Sequence, residues 1–145
     1  MEILRKDTDY AIRSLIYIAK NGRQAPVTAG TLAEAEGIPV EFIYKILRKL
    51  NRAGFLKRQM GPHGGFSLAQ HPEQISLFAI TGAIQGPVAV RKCLLDHKAC
   101  PRRPSCSVSV KLQGFQDAVE QMLKNITLAE VLESRFSQPE TPSFS

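Results

Sequence analysis

Between Pro39 and Gly54 the sequence PVEFIYKILRKLNRAG carries two stripes of opposite character on one helical period, and no other stretch limits the fold as tightly. Ile43, Ile46, Leu47 and Leu50 recur at helical spacing, so one side of a helix must be buried. Pro39 has the locked φ that suits a helix opening, and Gly54 is the usual residue just past a helix end. Lys45, Arg48, Lys49 and Arg52 fall at i, i+3, i+4 and i+7 on the other side, with Glu41 and Tyr44 beside them. That is the layout of a helix lying in the major groove of DNA. A solvated charged face on an ordinary amphipathic helix is the competing reading, since that is what most charge runs are. Turn, cap, apolar stripe and basic stripe agree with one another here, which favours the groove.

The flanking segments fit that centre. Residues 28–35, TAGTLAEA, predict a short first helix, and Glu36-Gly37-Ile38 supplies the tight turn of a helix-turn-helix. Downstream, Phe55-Leu56-Lys57-Arg58 reads as a first strand, Gly61-Pro62-His63-Gly64-Gly65 as its turn and Phe66-Ser67-Leu68-Ala69 as the returning strand. This two-stranded wing can reach an adjacent minor groove, with Arg58 and His63 as its contacts; a plain hairpin that closes the core is the alternative. The candidate DNA contacts are therefore Thr28, Glu41, Tyr44, Lys45, Arg48, Lys49, Arg52, Arg58 and His63. Upstream, Ala11, Ile12, Leu15, Ile16 and Ala19 make one face of a helix over 8–20, with Asp7, Thr8 and Asp9 placed to cap or favour its positive end.

After the wing a helix is expected over 76–85, with Leu77, Ile80 and Ile84 inward, stopped by Gly86-Pro87. From Ser107 the chain is helical again, and Val108, Leu112, Phe115, Val119, Met122 and Ile126 alternate steps of four and three. Such a seam on a small protein predicts a two-fold homodimer, which would pair two recognition helices on two half-sites; packing back on its own domain is the alternative. Thr127 and Glu130 form a possible capping box for a last short helix carrying Leu128, Val131 and Leu132, and the Ser- and Pro-rich stretch 137–145 reads as a tail.

Charge distribution supports the DNA reading. The net charge is +6, from 19 basic and 13 acidic residues, yet residues 40–60 hold six bases and one acid while residues 114–145 hold five acids and two bases. A basic field so local suits a phosphate-facing end better than diffuse membrane adhesion. No signal peptide opens the chain and no apolar run approaches ~18 residues, so a cytoplasmic protein is expected. An enzyme is disfavoured: no C-x-x-C and no Ser/His/Asp set is present, and His63, His71 and His97 lie in expected loop or wing segments without a paired carboxylate.

All three cysteines, Cys93, Cys100 and Cys106, fall within fourteen residues spaced C-x6-C-x5-C. Thiolates select zinc, copper(I) or iron–sulfur clusters and must be deprotonated to bind. Arg91, Lys92, Lys98, Arg102 and Arg103 surround them and would lower their pKa values and offset an anionic cluster. Three cysteines are one ligand short of the four that a structural zinc or a cluster prefers. His97 would complete a Cys3His zinc site; three reduced thiols without a ligand are disfavoured, because free cysteines are usually dispersed in cores rather than clustered among charges and prolines.

Taken together, these motifs resemble the Rrf family of winged-helix regulators, which includes IscR-like and NsrR-like iron–sulfur sensors. The resemblance rests on Thr8-Asp9-Tyr10-Ala11-Ile12-Arg13, Gly37-Ile38-Pro39, Ile46-Leu47-Arg48-Lys49-Leu50, Ala53-Gly54, Gly61-Pro62, Gly64-Gly65-Phe66 and the three cysteines, and covers nearly the whole chain. It implies a dimer that binds DNA through the helix-turn-helix and holds a cluster on Cys93, Cys100 and Cys106 near the dimerisation helix. Where IscR-like members place a histidine ligand three residues after the last cysteine, this chain has Ser109, which turns the expectation from a two-iron to a four-iron cluster. Asp9 matches the aspartate that completes the NsrR-like site from the partner subunit, so it is the expected fourth ligand, with His97 behind it. Met60 stands where family wings usually carry an arginine.

The expected architecture is mainly α with a two-stranded β wing: a winged helix-turn-helix over 1–86, a cysteine-bearing loop over 87–106, a dimerisation helix and short C-terminal helix over 107–136, and a tail. The expected function is a transcriptional repressor whose DNA affinity is controlled by an iron–sulfur cluster sensing redox, iron or nitric oxide. The alternative is a zinc-stapled or cofactor-free regulator answering a metabolite or a partner protein.

Overall fold

The computed structural model describes residues 2–134, so the expected tail lies outside the described residues. Its elements run α1 (Lys6–Asn21), α2 (Ala29–Glu36), α3 (Val40–Arg52), β1 (Leu56–Gln59), β2 (Gly65–Leu68), α4 (Leu77–Gln85), α5 (Lys92–Leu95), α6 (Ser107–Asn125) and α7 (Leu128–Glu133). Among the described residues no helix is long and apolar enough to cross a membrane.

Helix α1 starts two residues earlier than its sequence suggests, with Arg5 at the N-cap and no side-chain cap bond. The Asp-Thr-Asp run therefore lies inside the first turn, where it favours the positive end of the helix instead of supplying the N-cap residue. Thr8 is buried and its hydroxyl donates to Gln85 Oε1 at 2.7 Å, while its backbone N–H donates to Asp7 Oδ1 at 3.0 Å; Asp7 and Asp9 sit in the first turn, where negative charge suits the helix dipole. The buried face is Ala11, Leu15, Ile18 and Ala19 with Ser14, whereas Ile12 and Ile16 are only half-buried.

Thr28 caps α2 by accepting the Thr31 N–H at 3.1 Å, and Gly37, at φ 64°, makes the left-handed step into the turn that a residue with a Cβ resists. All four expected residues of the α3 stripe, Ile43, Ile46, Leu47 and Leu50, are buried. They meet α1 residues Leu15 and Ile18, Leu32 of α2, and Phe55, Leu56 and Phe66 of the wing in one core.

The wing is antiparallel, in the register Leu56↔Leu68, Lys57↔Ser67, Arg58↔Phe66 and Gln59↔Gly65. The loop accordingly covers 60–64, and Phe55 is a buried core residue before the first strand. Val27, which carries no strand signal, adds a third partner: its N–H donates to Phe66 O at 2.9 Å and its carbonyl accepts from Phe66 N–H at 2.7 Å. A Cβ on Gly65 would stand 2.6 Å from the Val27 carbonyl oxygen, which explains the glycine.

Helix α4 begins at Leu77 behind its cap Ser76 and buries Ile80, Thr81 and Ile84, while Leu77 is half-buried. The last helix returns to this core. Thr127 and Glu130 form the expected capping box, the Leu128 N–H donates to Ile75 O at 2.7 Å, and Leu128 is fully buried beside Ile75 and Ile80. Helix α6 shows two faces. Ser109, Gln116 and Leu123, seven residues apart, are turned inward, whereas Val108, Phe115 and Met122 of the expected seam are 61%, 54% and 65% exposed.

Candidate nucleic-acid interface and cysteine loop

Because the four-residue apolar stripe anchors α3, its opposite flank is fixed outward. Glu41, Tyr44, Lys45, Arg48 and Arg52 are all exposed there. The Lys45 ammonium lies 5.8 Å from the ring centroid of Phe42, itself 53% exposed. Lys49 is placed differently: it lies toward α4, and its Nζ donates to the Ile84 carbonyl at 3.1 Å. Among the described residues the ion pairs are Arg13–Asp9 and Lys124–Glu120, so no cation of α3 or of the wing is neutralised by a carboxylate. An uncompensated row of this kind is what phosphate binding with counterion release requires.

The wing extends the same field. Arg58 is exposed, with its guanidinium 5.8 Å from the Phe66 ring centroid, and His63 and the 75%-exposed Met60 occupy the loop. Thr28 is exposed at the N-terminus of α2, though its hydroxyl is engaged in the cap. A cleft of about 650 Å³ behind the wing, bordered by Arg23, Lys57, Gln70 and His71, has no carboxylate or cysteine in its wall and offers no acid–base pair.

The cysteine loop is more structured than its sequence suggests. Cys93 lies in the single turn of α5, Cys100 follows the turn His97–Ala99, and Cys106 is the N-cap of α6. All three are free and half-buried. The backbone N–H of Ser109, with that of Val108 and the charge of Arg91, holds the Cys106 thiol below the usual thiol range. The Cys93 carbonyl accepts from the Arg103 guanidinium. Ser109 is turned to the backbone, its hydroxyl donating to the Cys106 carbonyl at 2.8 Å.

Gln116, which carries no motif in the sequence, is 1% exposed and ties the loop's entry to α6. Its Nε2 donates to Val88 O at 2.6 Å and its Oε1 accepts from Val90 N–H at 2.8 Å. Its heptad offset from Ser109 and Leu123 is the signal that could have found it.

Thiols among cations suit an anionic, thiolate-held group in kind. In arrangement they do not: among the described residues no three His, Cys, Asp or Glu side chains lie close enough to hold a metal ion. Cys93, Cys100 and Cys106 thus share a loop without sharing a coordination shell, and His97, which is exposed, does not complete one within the chain. Asp9 Oδ2 accepts from Arg13 Nε at 2.9 Å on the exposed side of α1.

Known proteins share this sequence pattern and this fold. The sequence profile described as "Rrf2: Iron-dependent Transcriptional regulator" matches residues 4–134. "Protein rrf2" of Nitratidesulfovibrio vulgaris is 30% identical over 123 residues, covering 85% of this chain and 82% of that protein. Two solved structures are similar in fold: CymR, the global cysteine regulator of B. subtilis, at TM-score 0.73 and 21% identity over 94% of this chain and all of that one, and T. potens IscR at TM-score 0.71 and 22% identity over 93% and 92%.

Proposed function

Because this chain belongs to the Rrf2 family, and is therefore a winged-helix transcriptional regulator and not an enzyme, we propose that it is a homodimeric repressor reading duplex DNA with α3 and the wing. One observation carries this reading: the uncompensated cations Lys45, Arg48 and Arg52 stand directly behind a fully buried stripe, so the helix can present them to a groove without moving. The exposed seam of Val108, Phe115 and Met122 on α6 supports the dimer, since two copies would cover it and set the spacing of two recognition helices.

The finer part of the proposal concerns the signal. The thiol set supports an iron–sulfur cluster, held by Cys93, Cys100 and Cys106 with Asp9 of the partner subunit, or His97, as the remaining ligand; four irons suit a chain with Ser109 in place of a histidine. When bound, such a cluster would supply a tie between thiolates that oxidants, iron loss or nitric oxide break. The chain's own residues do the rest: Gln116 holds the loop's entry on α6, and Arg103 holds the backbone of Cys93.

The likeness in fold to CymR, the global cysteine regulator of B. subtilis, supports a second reading, a zinc-stapled or cofactor-free regulator that answers a metabolite or a partner protein. Iron, acid-labile sulfide and zinc analysis of protein purified without oxygen separates the two. Iron and sulfide with visible absorbance lost in Cys100→Ser supports the cluster; zinc alone, or no metal, supports the second reading.

A further inference from the structure

Five hydrogen bonds from two different elements converge on the last two residues of α4. Gln85 Oε1 accepts from the Arg5 backbone N–H at 2.8 Å and from the Thr8 hydroxyl at 2.7 Å, while Gln85 Nε2 donates to Ile3 O at 2.9 Å. The Arg5 guanidinium donates to the Gln85 carbonyl at 2.7 Å, and Lys49 of the recognition helix donates to the Ile84 carbonyl at 3.1 Å. Carbonyls of a helix's last turn lack partners within the helix and attract cations. Here the cations come from the N-terminal arm and from α3, so the end of α4 fixes both.

Immediately beyond, Gly86 and Pro87 lead to Val88, whose carbonyl is held by the buried Gln116 at 2.6 Å, and the chain continues into the cysteine loop. Two glutamine side chains thus act on the short stretch 85–90, Gln85 gripping the DNA-binding half and Gln116 the sensing half.

We propose that Gln85 and Lys49 form a joint that positions the recognition helix according to the state of the cysteine loop, Lys49 acting on its own chain's Ile84 carbonyl and not on a DNA phosphate. The proposal rests on the DNA-binding reading above, but not on which group the cysteines hold. A displacement of residues 88–90 pulls on the end of α4 and, through Lys49, changes the pitch of α3 in the groove. A signal uses this route only if it favours one arrangement of the loop over another.

The test measures affinity of the full-length protein for a duplex selected from a random pool, over a series of salt concentrations. Lys49→Met is expected to weaken binding about tenfold, the order of one charged hydrogen bond, with an unchanged slope of log affinity against log salt. A slope smaller by about one places Lys49 on a phosphate and overturns the joint.

Coupling is read from a mutant cycle: Gln116→Leu should alter affinity at least fivefold in the native background and less than twofold in Gln85→Ala. Additive effects, or no effect of Gln116→Leu in the native background, overturn it. Should Gln85→Ala fail to fold, Thr8→Val removes a single bond of the same node and is held to the same criterion. A native protein that binds no duplex DNA at all refutes the DNA-binding reading instead, which keeps the two failures distinct.

Discussion

Substituting Phe115 by alanine separates the two faces of α6. The residue is 54% exposed, so about half of an aromatic surface of ~200 Å², roughly 100 Å², remains for a second copy to cover. At ~25 cal/mol per Å² that is about 2.5 kcal/mol per ring, and about 4 kcal/mol for the two rings of a two-fold pair after crediting the alanine methyls. The dimer dissociation constant should rise about a thousandfold. Sedimentation equilibrium across nanomolar to micromolar protein reads this directly, and because the ring is exposed in one chain, the unfolding midpoint of the monomer should barely change. Leu123→Ala is the control: that residue is 8% exposed and faces its own chain, so it should cost about 2–5 kcal/mol of unfolding free energy. A Phe115→Ala protein that associates as tightly as the native one removes the seam from the interface.

Other consequences follow from local geometry. Leu128→Ala should destabilise the whole winged-helix unit by about 2–5 kcal/mol in urea unfolding, because Leu128 is fully buried in that core; a change below ~1 kcal/mol would mean that α7 folds apart from it. Gly65→Ala sets a Cβ 2.6 Å from the Val27 carbonyl and should free the Val27 and Phe66 amides to hydrogen exchange; unaltered protection would show that the wing yields to the methyl. In metal-free protein, Cys106 should alkylate with an apparent midpoint below the ordinary thiol range, since the Ser109 and Val108 amides favour its thiolate; peptide mapping that finds Cys106 titrating above that range contradicts that stabilisation of the thiolate.

The recognition unit was legible because two periodic signals of opposite character constrain one helix: Ile43, Ile46, Leu47 and Leu50 are all buried and Arg48 and Arg52 are both exposed. The wing was legible nearly to the residue for the same kind of reason, its glycines marking the loop between two short runs. What was missed has no period. Val27 contributes one bridge, Gln85 and Gln116 are single amides whose value comes from partners about 30 to 80 residues away, and Thr8 resembled a cap because sequence cannot show that its hydroxyl is already engaged with Gln85. Lys49 shares the spacing of the groove-facing cations, yet the proximity of α4 gives it a carbonyl to hold. Spacing identified Cys93, Cys100 and Cys106 as a set, but convergence of their sulfurs depends on chain geometry that spacing does not encode.

The central claim is that the outer flank of α3 meets DNA phosphates and base edges. The salt dependence of duplex binding by Arg48→Ala and Arg52→Ala, compared with the native protein, tests it most directly. Each variant should bind more weakly, with a slope of log affinity against log salt smaller by about one for every phosphate that the missing guanidinium had neutralised. Native affinity and native slope in both variants would contradict it.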